Sequence, residues 1–240
     1  MIYEKTNNFY NQKINISNVR EWRFDFFAKK CLGKKVLHVG CADSMVYDPQ
    51  SNLHIYLSKI DGNYEKYSEE RPQSPTILHG LDIDVETTNK LIEACPGTYF
   101  ISYSDVKEEY DIVLVPEVME HVPDVSSFLK NIFSVSSKEY LITVPNMSVA
   151  QIFCDDEYAL EMVHPDHKYW FSPYTLYKTI SPFIPENFKS KMHYLENKTQ
   201  IGFYLQKKTD WELQVEREEK EKLEQEKLAQ EKLEEKEKEE

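Results

Sequence analysis

Short apolar runs alternate with segments whose apolar residues recur at helical spacing along residues 15–208, the pattern that a parallel α/β sheet produces. Asn18 is placed to cap a helix running to about Lys30, with Val19, Trp22 and Phe26 on one side. The run Val36–Val39 is rich in β-formers and breaks at Gly40, predicting a first strand and a tight turn. His54–Ile60 predicts a short helix, and the polar stretch with Gly62 and Pro72 reads as an insertion. T-I-L-H-G-L-D-I-D (76–84) predicts a second strand ending in acids. Thr98–Ile101 predicts a third, Tyr110–Val115 a fourth, and Tyr140–Val144, closed by Pro145 and Asn146, a fifth. K-M-H-Y-L-E (191–196) and Q-I-G-F-Y-L-Q (200–206) add two more, joined by a turn around Asn197. The prediction is a doubly wound α/β fold: a mostly parallel, seven-stranded sheet with an antiparallel closing hairpin.

Beyond residue 209 the pattern changes. Leu223, Leu228 and Leu233 recur every five positions in E-K-L-E-Q-like units, and five residues advance a helix by about 500°, so these leucines spiral around the axis instead of forming a seam. Two regions follow: a body at 1–209, and a charged repeat tail at 210–240 that is helical or disordered, with contact to a protein partner as its alternative role. The net charge of −13 divides accordingly. Residues 210–240 hold fourteen acidic and seven basic side chains, a balance of −7, which leaves −6 for the body. A mildly acidic body excludes long nucleic acid as the main ligand.

With 240 residues and 40% hydrophobic content the chain can bury one sizeable core. The polar opening M-I-Y-E-K-T-N-N-F-Y-N-Q-K-I-N and the absence of any apolar run near 18 residues predict no secretory leader, no membrane partner and a cytoplasmic location. Cys31, Cys41, Cys95 and Cys154 lack C-x-x-C spacing and are read as reduced.

The candidate chemistry concentrates in two segments. E-V-M-E-H (117–121) directly follows the apolar run Ile112–Pro116, and H-P-D-H-K-Y-W (164–170) lies downstream. On the first turn of a helix, Glu117, Glu120 and His121 would share one face as three potential metal ligands.

In motif and order, residues 15–208 resemble the class I S-adenosylmethionine-dependent methyltransferases. V-L-H-V-G-C-A-D-S (36–44) is similar to the family's first motif, where a glycine-rich turn lets backbone amides approach the cofactor. The resemblance assigns cofactor binding to Gly40, Cys41 and Ala42. His38 stands where the family has an acid, and Ala42 and Ser44 where it has glycines. Asp82 falls where the family places an acid on the ribose hydroxyls, with Asp84 as fallback; either could instead cap the next helix. Asp105 matches the acid that binds the adenine amino group, and Pro116 closes the fourth strand beside the methyl group.

Many members carry an E-x-x-E-H-like string after strand four, including ubiquinone-biosynthesis and small-RNA 3′-terminal O-methyltransferases. In the RNA enzymes it holds a divalent cation together with a downstream histidine. The resemblance therefore implies a metal set of Glu117, Glu120, His121 and His167, suited to Mn, Fe, Co or Mg, with His164 as spare. Two alternatives stay open: a metal-free site with His121 as general base, and a helix turn without catalytic role. The aromatic group Tyr169, Trp170, Phe171 and Tyr174 reads as lid, substrate wall or core.

The resemblance implies a Rossmann-like methyltransferase fold with S-adenosylmethionine as cofactor, and a metal-assisted O-methyltransferase with His121 or His164 as proton acceptor. Vicinal diols suit such a site. The expected acceptor is a carbohydrate, such as a nucleotide-activated sugar for surface polysaccharide. The competing readings are metal-independent N- or O-methylation of a small molecule, and a non-catalytic cofactor-binding scaffold.

Overall fold

The computed structural model of the chain describes residues 14–15, 19–46, 51–58, 77–150, 158–159, 166–195 and 198–239. Seven strands form the main sheet: β1 Lys35–Val39, β2 Ile77–Leu81, β3 Thr98–Phe100, β4 Tyr110–Pro116, β5 Ser137–Pro145, β6 Phe188–Tyr194 and β7 Gln200–Lys207. Their order is β3-β2-β1-β4-β5-β7-β6. Pairings from β3 through β5 are parallel, and β7 runs antiparallel to both β5 and β6. The chain steps outward from β1 to β3 and then returns to the other side of β1 for β4. Open sheets bind ligands at such a switch point, beyond the carboxyl ends of the strands.

The helices are α1 Val19–Cys31, α2 Leu53–Ser58, α3 Val85–Ala94, α4 Val125–Ser134, α5 Met147–Ala150, α6 Pro173–Ile180 and α7 Asp210–Glu239. Strand periodicity sorts the core into two faces. Val113, Val115, Ile142 and Val144 pack with Phe128, Leu129 and Ile132 of α4 and Leu176 and Ile180 of α6. Val36, Ile112, Leu114 and Leu141 pack with Phe24, Phe27 and Cys31 of α1 and Leu53 and Leu57 of α2. Central strands covered on both faces read as continuous apolar runs, and a fully buried side chain of this size contributes about 1.5–3 kcal/mol.

Several expectations shift. The buried stripe of α1 is Phe24, Phe27 and Cys31, because these face the sheet; Phe26 is half-buried, and the side chains of Val19 and Trp22 lie outside the described residues. Strand β5 starts three residues earlier than its apolar run, since Lys138 pairs with Asp111 at 2.7 Å and Glu139 with Lys34. Strand β6 starts at Phe188 and ends at Tyr194; as an edge strand buried only at Phe188 it lacks the alternation that marks a half-buried strand. A short parallel pair, Ile14–Asn15 with Tyr158–Ala159, was not anticipated. Asn18, the stretch around Gly62 and Pro72, Asn197, Cys154 and His164 lie outside the described residues. The thiols of Cys31, Cys41 and Cys95 are free and buried, and burial pushes that of Cys31 up to about 12.

The tail from Asp210 is helical. Its start is a reciprocal cap: the Glu212 amide donates to Thr209 Oγ1 at 3.2 Å and the Thr209 amide to Glu212 Oε2 at 2.8 Å. Lys189–Glu212 at 2.6 Å and Lys208–Glu216 at 2.7 Å tie its first turns to the closing hairpin. Leu223 is exposed. Among the described residues no helix is long and apolar enough to cross a membrane.

Candidate active site

The turn after β1 is held by its backbone. Gly40 adopts φ +73°, and its amide donates to the Leu81 carbonyl at 2.8 Å. A Cβ there would stand 2.4 Å from Val118 Cγ2, so this glycine is required both by conformation and by the close approach of the β4 loop. The Ala42 amide donates to Asp82 Oδ2 at 3.0 Å. Asn52 Nδ2 donates to the Cys41 carbonyl at 2.8 Å, while Asn52 Oδ1 accepts from the Ile55 amide at 3.0 Å. Asn52 thus caps α2 and fixes the turn, a role that its position just before an apolar helical run could have suggested.

The two acids after β2 separate cleanly. Asp82 accepts from the Ala42 and Asp84 amides, both at 3.0 Å, and burial raises its carboxyl above the ordinary value, against the lowering by those bonds. Asp84 caps α3, accepting from the Thr87 amide at 3.1 Å and hydroxyl at 2.8 Å. An Asp84→Ala variant is therefore expected to lose about 1 kcal/mol of stability with cofactor affinity within twofold of wild type, whereas Asp82→Ala should weaken the cofactor. Urea unfolding and calorimetry with S-adenosylhomocysteine check both. Asp105 is exposed on the loop after β3, and its Oδ1 lies 3.5 Å from Ser104 Oγ.

His38 does not face an open site. It is 2% exposed, and its Nδ1 lies 3.3 Å from that of His54, also 2% exposed. Burial lowers both imidazoles, followed for His38 by the charge of His54 and for His54 by that of His79, and His54 falls to about 3. Between about pH 6.5 and pH 3 the unfolded chain therefore binds protons that the native pair does not, so stability declines as pH falls, by about 1.4 kcal/mol per pH unit for each such proton. A His54→Gln variant should lose one proton's share of that slope, measured by urea unfolding at pH 5 and pH 7.

The turn after β4 departs from the expected helix. Glu117 takes φ +54°, a left-handed conformation that costs a non-glycine residue about 1–3 kcal/mol, and its amide donates to the Thr143 carbonyl at 3.0 Å. A tight turn follows, closed by the His121 amide on the Val118 carbonyl at 3.0 Å. Pro123 excludes helical geometry from the residue before it, and α4 begins only at Val125, capped by Asp124. The shared helical face does not form. The strained residue sits instead beside the switch point, next to Val118 over Gly40.

The downstream segment docks directly on this turn. The Lys168 and Tyr169 amides donate to the Glu120 carbonyl at 2.8 and 3.2 Å, Lys168 Nζ to the His121 carbonyl at 2.7 Å, and the Tyr169 hydroxyl to the Pro123 carbonyl at 3.1 Å. His167 is thereby set against His121, with ring centroids 4.7 Å apart. Ligand atoms of Glu120, His121 and His167 all lie within 4.8 Å of one another. Glu117 is outside that group, and its charge is the second cause, after burial, that holds Glu120 well above the usual carboxylate range.

Glu120 is 1% exposed, and among the described residues neither of its carboxylate oxygens has a hydrogen-bond partner. An unpartnered buried carboxylate is costly, and two imidazoles beside it complete a donor set that fits a divalent cation. His121 Nε2 lies 3.9 Å from Glu120 Oε1 and its Nδ1 3.3 Å from Asp166 Oδ2, so two carboxylates flank this imidazole. Sequence reasoning missed Asp166. Of the nearby aromatics, Phe171 is buried while Tyr169, Trp170 and Tyr174 are 37%, 50% and 69% exposed.

Comparison with known proteins agrees with this geometry. No family model matches the chain. The ubiquinone biosynthesis O-methyltransferase of Aeromonas salmonicida (strain A449) is 25% identical over 162 residues, 63% of each chain. That of Pseudomonas entomophila (strain L48) is 31% identical over 100 residues, 41% of this chain and 38% of the relative. The chain thus spans less than two thirds of the length of these relatives. Among solved structures, a chain of the Pnkp1/Rnl/Hen1 complex superposes with a TM-score of 0.56 at 13% identity, covering 81% of this chain and 43% of that one. The plantazolicin methyltransferase BpumL, bound to a triazolic desmethylPZN analog and SAH, gives 0.54 at 11% identity, covering 79% and 85%. These structural likenesses establish the fold, a Rossmann-like fold shared with S-adenosylmethionine-dependent methyltransferases, and over part of its length the chain is similar in sequence to O-methyltransferases.

Proposed function

We propose that the protein is an O-methyltransferase assisted by a divalent cation, acting on one hydroxyl of a vicinal diol in a carbohydrate such as a nucleotide-activated sugar for surface polysaccharide. The observation that carries the metal assistance is the buried, unpartnered Glu120 carboxylate beside His121 and His167. Oxygen as the accepting atom is supported by the O-methylation named for the curated relatives. The acidic body supports a small acceptor over RNA.

The cofactor supplies an electrophilic sulfonium methyl, and a cation of the Mn, Fe, Co or Mg type supplies Lewis acidity toward a hydroxyl. The chain's own part is alignment. Gly40, Cys41 and Ala42 present the turn to the cofactor, Asp82 braces it and offers remaining lone pairs to the ribose, and Asp105 takes the adenine end. Pro116 and the strained Glu117 set the β4 loop over Gly40, where it would stand beside the methyl group of a bound cofactor. Glu120, His121 and His167, joined by Glu117, would hold the cation. With the cofactor bound, passing its methyl group to the acceptor oxygen would release the hydroxyl proton, which a base of this chain would take up. The proton acceptor of this reading is His121 or His164.

The test is metal analysis of the purified protein, with methyl transfer from S-adenosylmethionine to nucleotide sugars, a catechol and an RNA 3′ end before and after chelation. Chelator-sensitive methylation of a sugar supports the reading. Full activity after chelation would favour metal-independent methylation of a small amine, hydroxyl or phosphate ester. No binding of S-adenosylhomocysteine would leave a non-catalytic scaffold.

A further inference from the structure

Besides Glu120, three residues at the site's end of the α1-covered face carry buried polar atoms without a hydrogen-bond partner among the described residues: Arg23 Nε, Thr143 Oγ1 and Gln200 Oε1. The mechanism above uses none of them. Thr143 is fully buried and Gln200 is 2% exposed.

Their placement follows from register. Leu141 packs against Phe24, Phe27 and Cys31 of α1, and strand side chains repeat every second residue, so Thr143 lies on the same face, about 6.6 Å nearer the carboxyl end. Thr143 pairs with Gly202, and Pro145 with Gln200, making Thr143 and Gln200 diagonal neighbours on that face, with the position over Gly202 bordered by Leu195 and Leu141.

Three residues, 32–34, join α1 to β1, so the helix runs back antiparallel to the parallel strands. Arg23 is four residues before the buried Phe27, on the same helical stripe and about 6 Å nearer the carboxyl end. Arg23, Thr143 and Gln200 therefore converge, next to the end of β4 that carries Glu117.

We propose that Arg23, Thr143 and Gln200 form an acceptor subsite that takes an oxyanion, a carboxylate or phosphate group carried by the methyl acceptor. The guanidinium and the threonine hydroxyl are donors, and the glutamine amide turns its Nε2 toward an anion by a half rotation. An arginine whose Nε has no hydrogen-bond partner among the described residues is matched by a charged oxygen ligand. The inference rests on the methyltransferase reading and narrows it to anionic acceptors, as a sugar phosphate or a uronate would be.

The test uses the full chain, calorimetry, and two probes, inorganic phosphate and acetate, each titrated with and without saturating S-adenosylhomocysteine. Wild type should bind at least one anion, the tighter one naming the group. Arg23→Gln should weaken it by about tenfold or more and the isosteric Thr143→Val by about threefold, with the S-adenosylhomocysteine Kd within twofold of wild type. A tenfold loss of S-adenosylhomocysteine affinity in Arg23→Gln would overturn the proposal, because the oxyanion is then the cofactor's own carboxylate. Equal anion binding by wild type and both variants, or none by wild type, overturns it too. Lack of S-adenosylhomocysteine binding by wild type condemns the methyltransferase reading instead, and the titrations without it still decide the subsite.

Discussion

Gly40→Ala is expected to lower stability by about 2–5 kcal/mol and to weaken S-adenosylhomocysteine about 100-fold. Two costs add. A side chain at φ +73° costs about 1–2 kcal/mol, and a Cβ at 2.4 Å from Val118 Cγ2 is overpacking worth about 1–3 kcal/mol. Relief requires the turn or the β4 loop to move by the better part of an ångström, and a displacement of about 1 Å is enough to spoil the positioning of reacting groups. The double variant Gly40→Ala/Val118→Ala separates the terms: it should regain the overpacking part and keep the conformational part. Chemical unfolding and calorimetry read both, and wild-type affinity in the single variant would remove the turn from the cofactor site.

His167→Ala is expected to reduce methyl transfer about 100-fold or more and to empty the purified protein of metal, with S-adenosylhomocysteine affinity unchanged. The ligand atom of His167 lies within 4.8 Å of those of Glu120 and His121, and the residue is remote in sequence from the turn at Gly40–Ala42 proposed to face the cofactor. Glu117→Gln should cost less metal affinity than His167→Ala, because its carboxylate stands outside the tight group of three. Undiminished turnover by chelated wild-type protein would end the metal assignment altogether.

The strands were legible because β1, β4 and β5 are buried on both faces, and continuous apolar runs such as Ile112–Val115 have no competing explanation between turn residues. The edge was not: β6 buries Phe188 and leaves Lys189, Lys191 and His193 exposed, so nothing in its pattern fixes its limits. At the site, spacing was read as helical although Pro123 already forbade a helix there, and the true device, a strained Glu117, has no one-dimensional signature. The pairing of E-V-M-E-H with the segment at 167 came through resemblance; the amide bonds that bring them together are invisible in side-chain identity. Arg23, Thr143 and Gln200 could not be seen as a group, since their convergence depends on strand register and on the direction of α1.

The docking of residues 168 and 169 on the Glu120 carbonyl is made by main-chain amides, which every residue except proline possesses. Substitution at the exposed Trp170 can thus alter the rim while leaving these amide bonds in place, whereas Lys168 and Tyr169 also dock through their side chains. The arrangement divides the loop into a portion held to the Glu120 turn and a rim open to change. A new acceptor could be selected by altering the rim without rebuilding the chemistry beneath it.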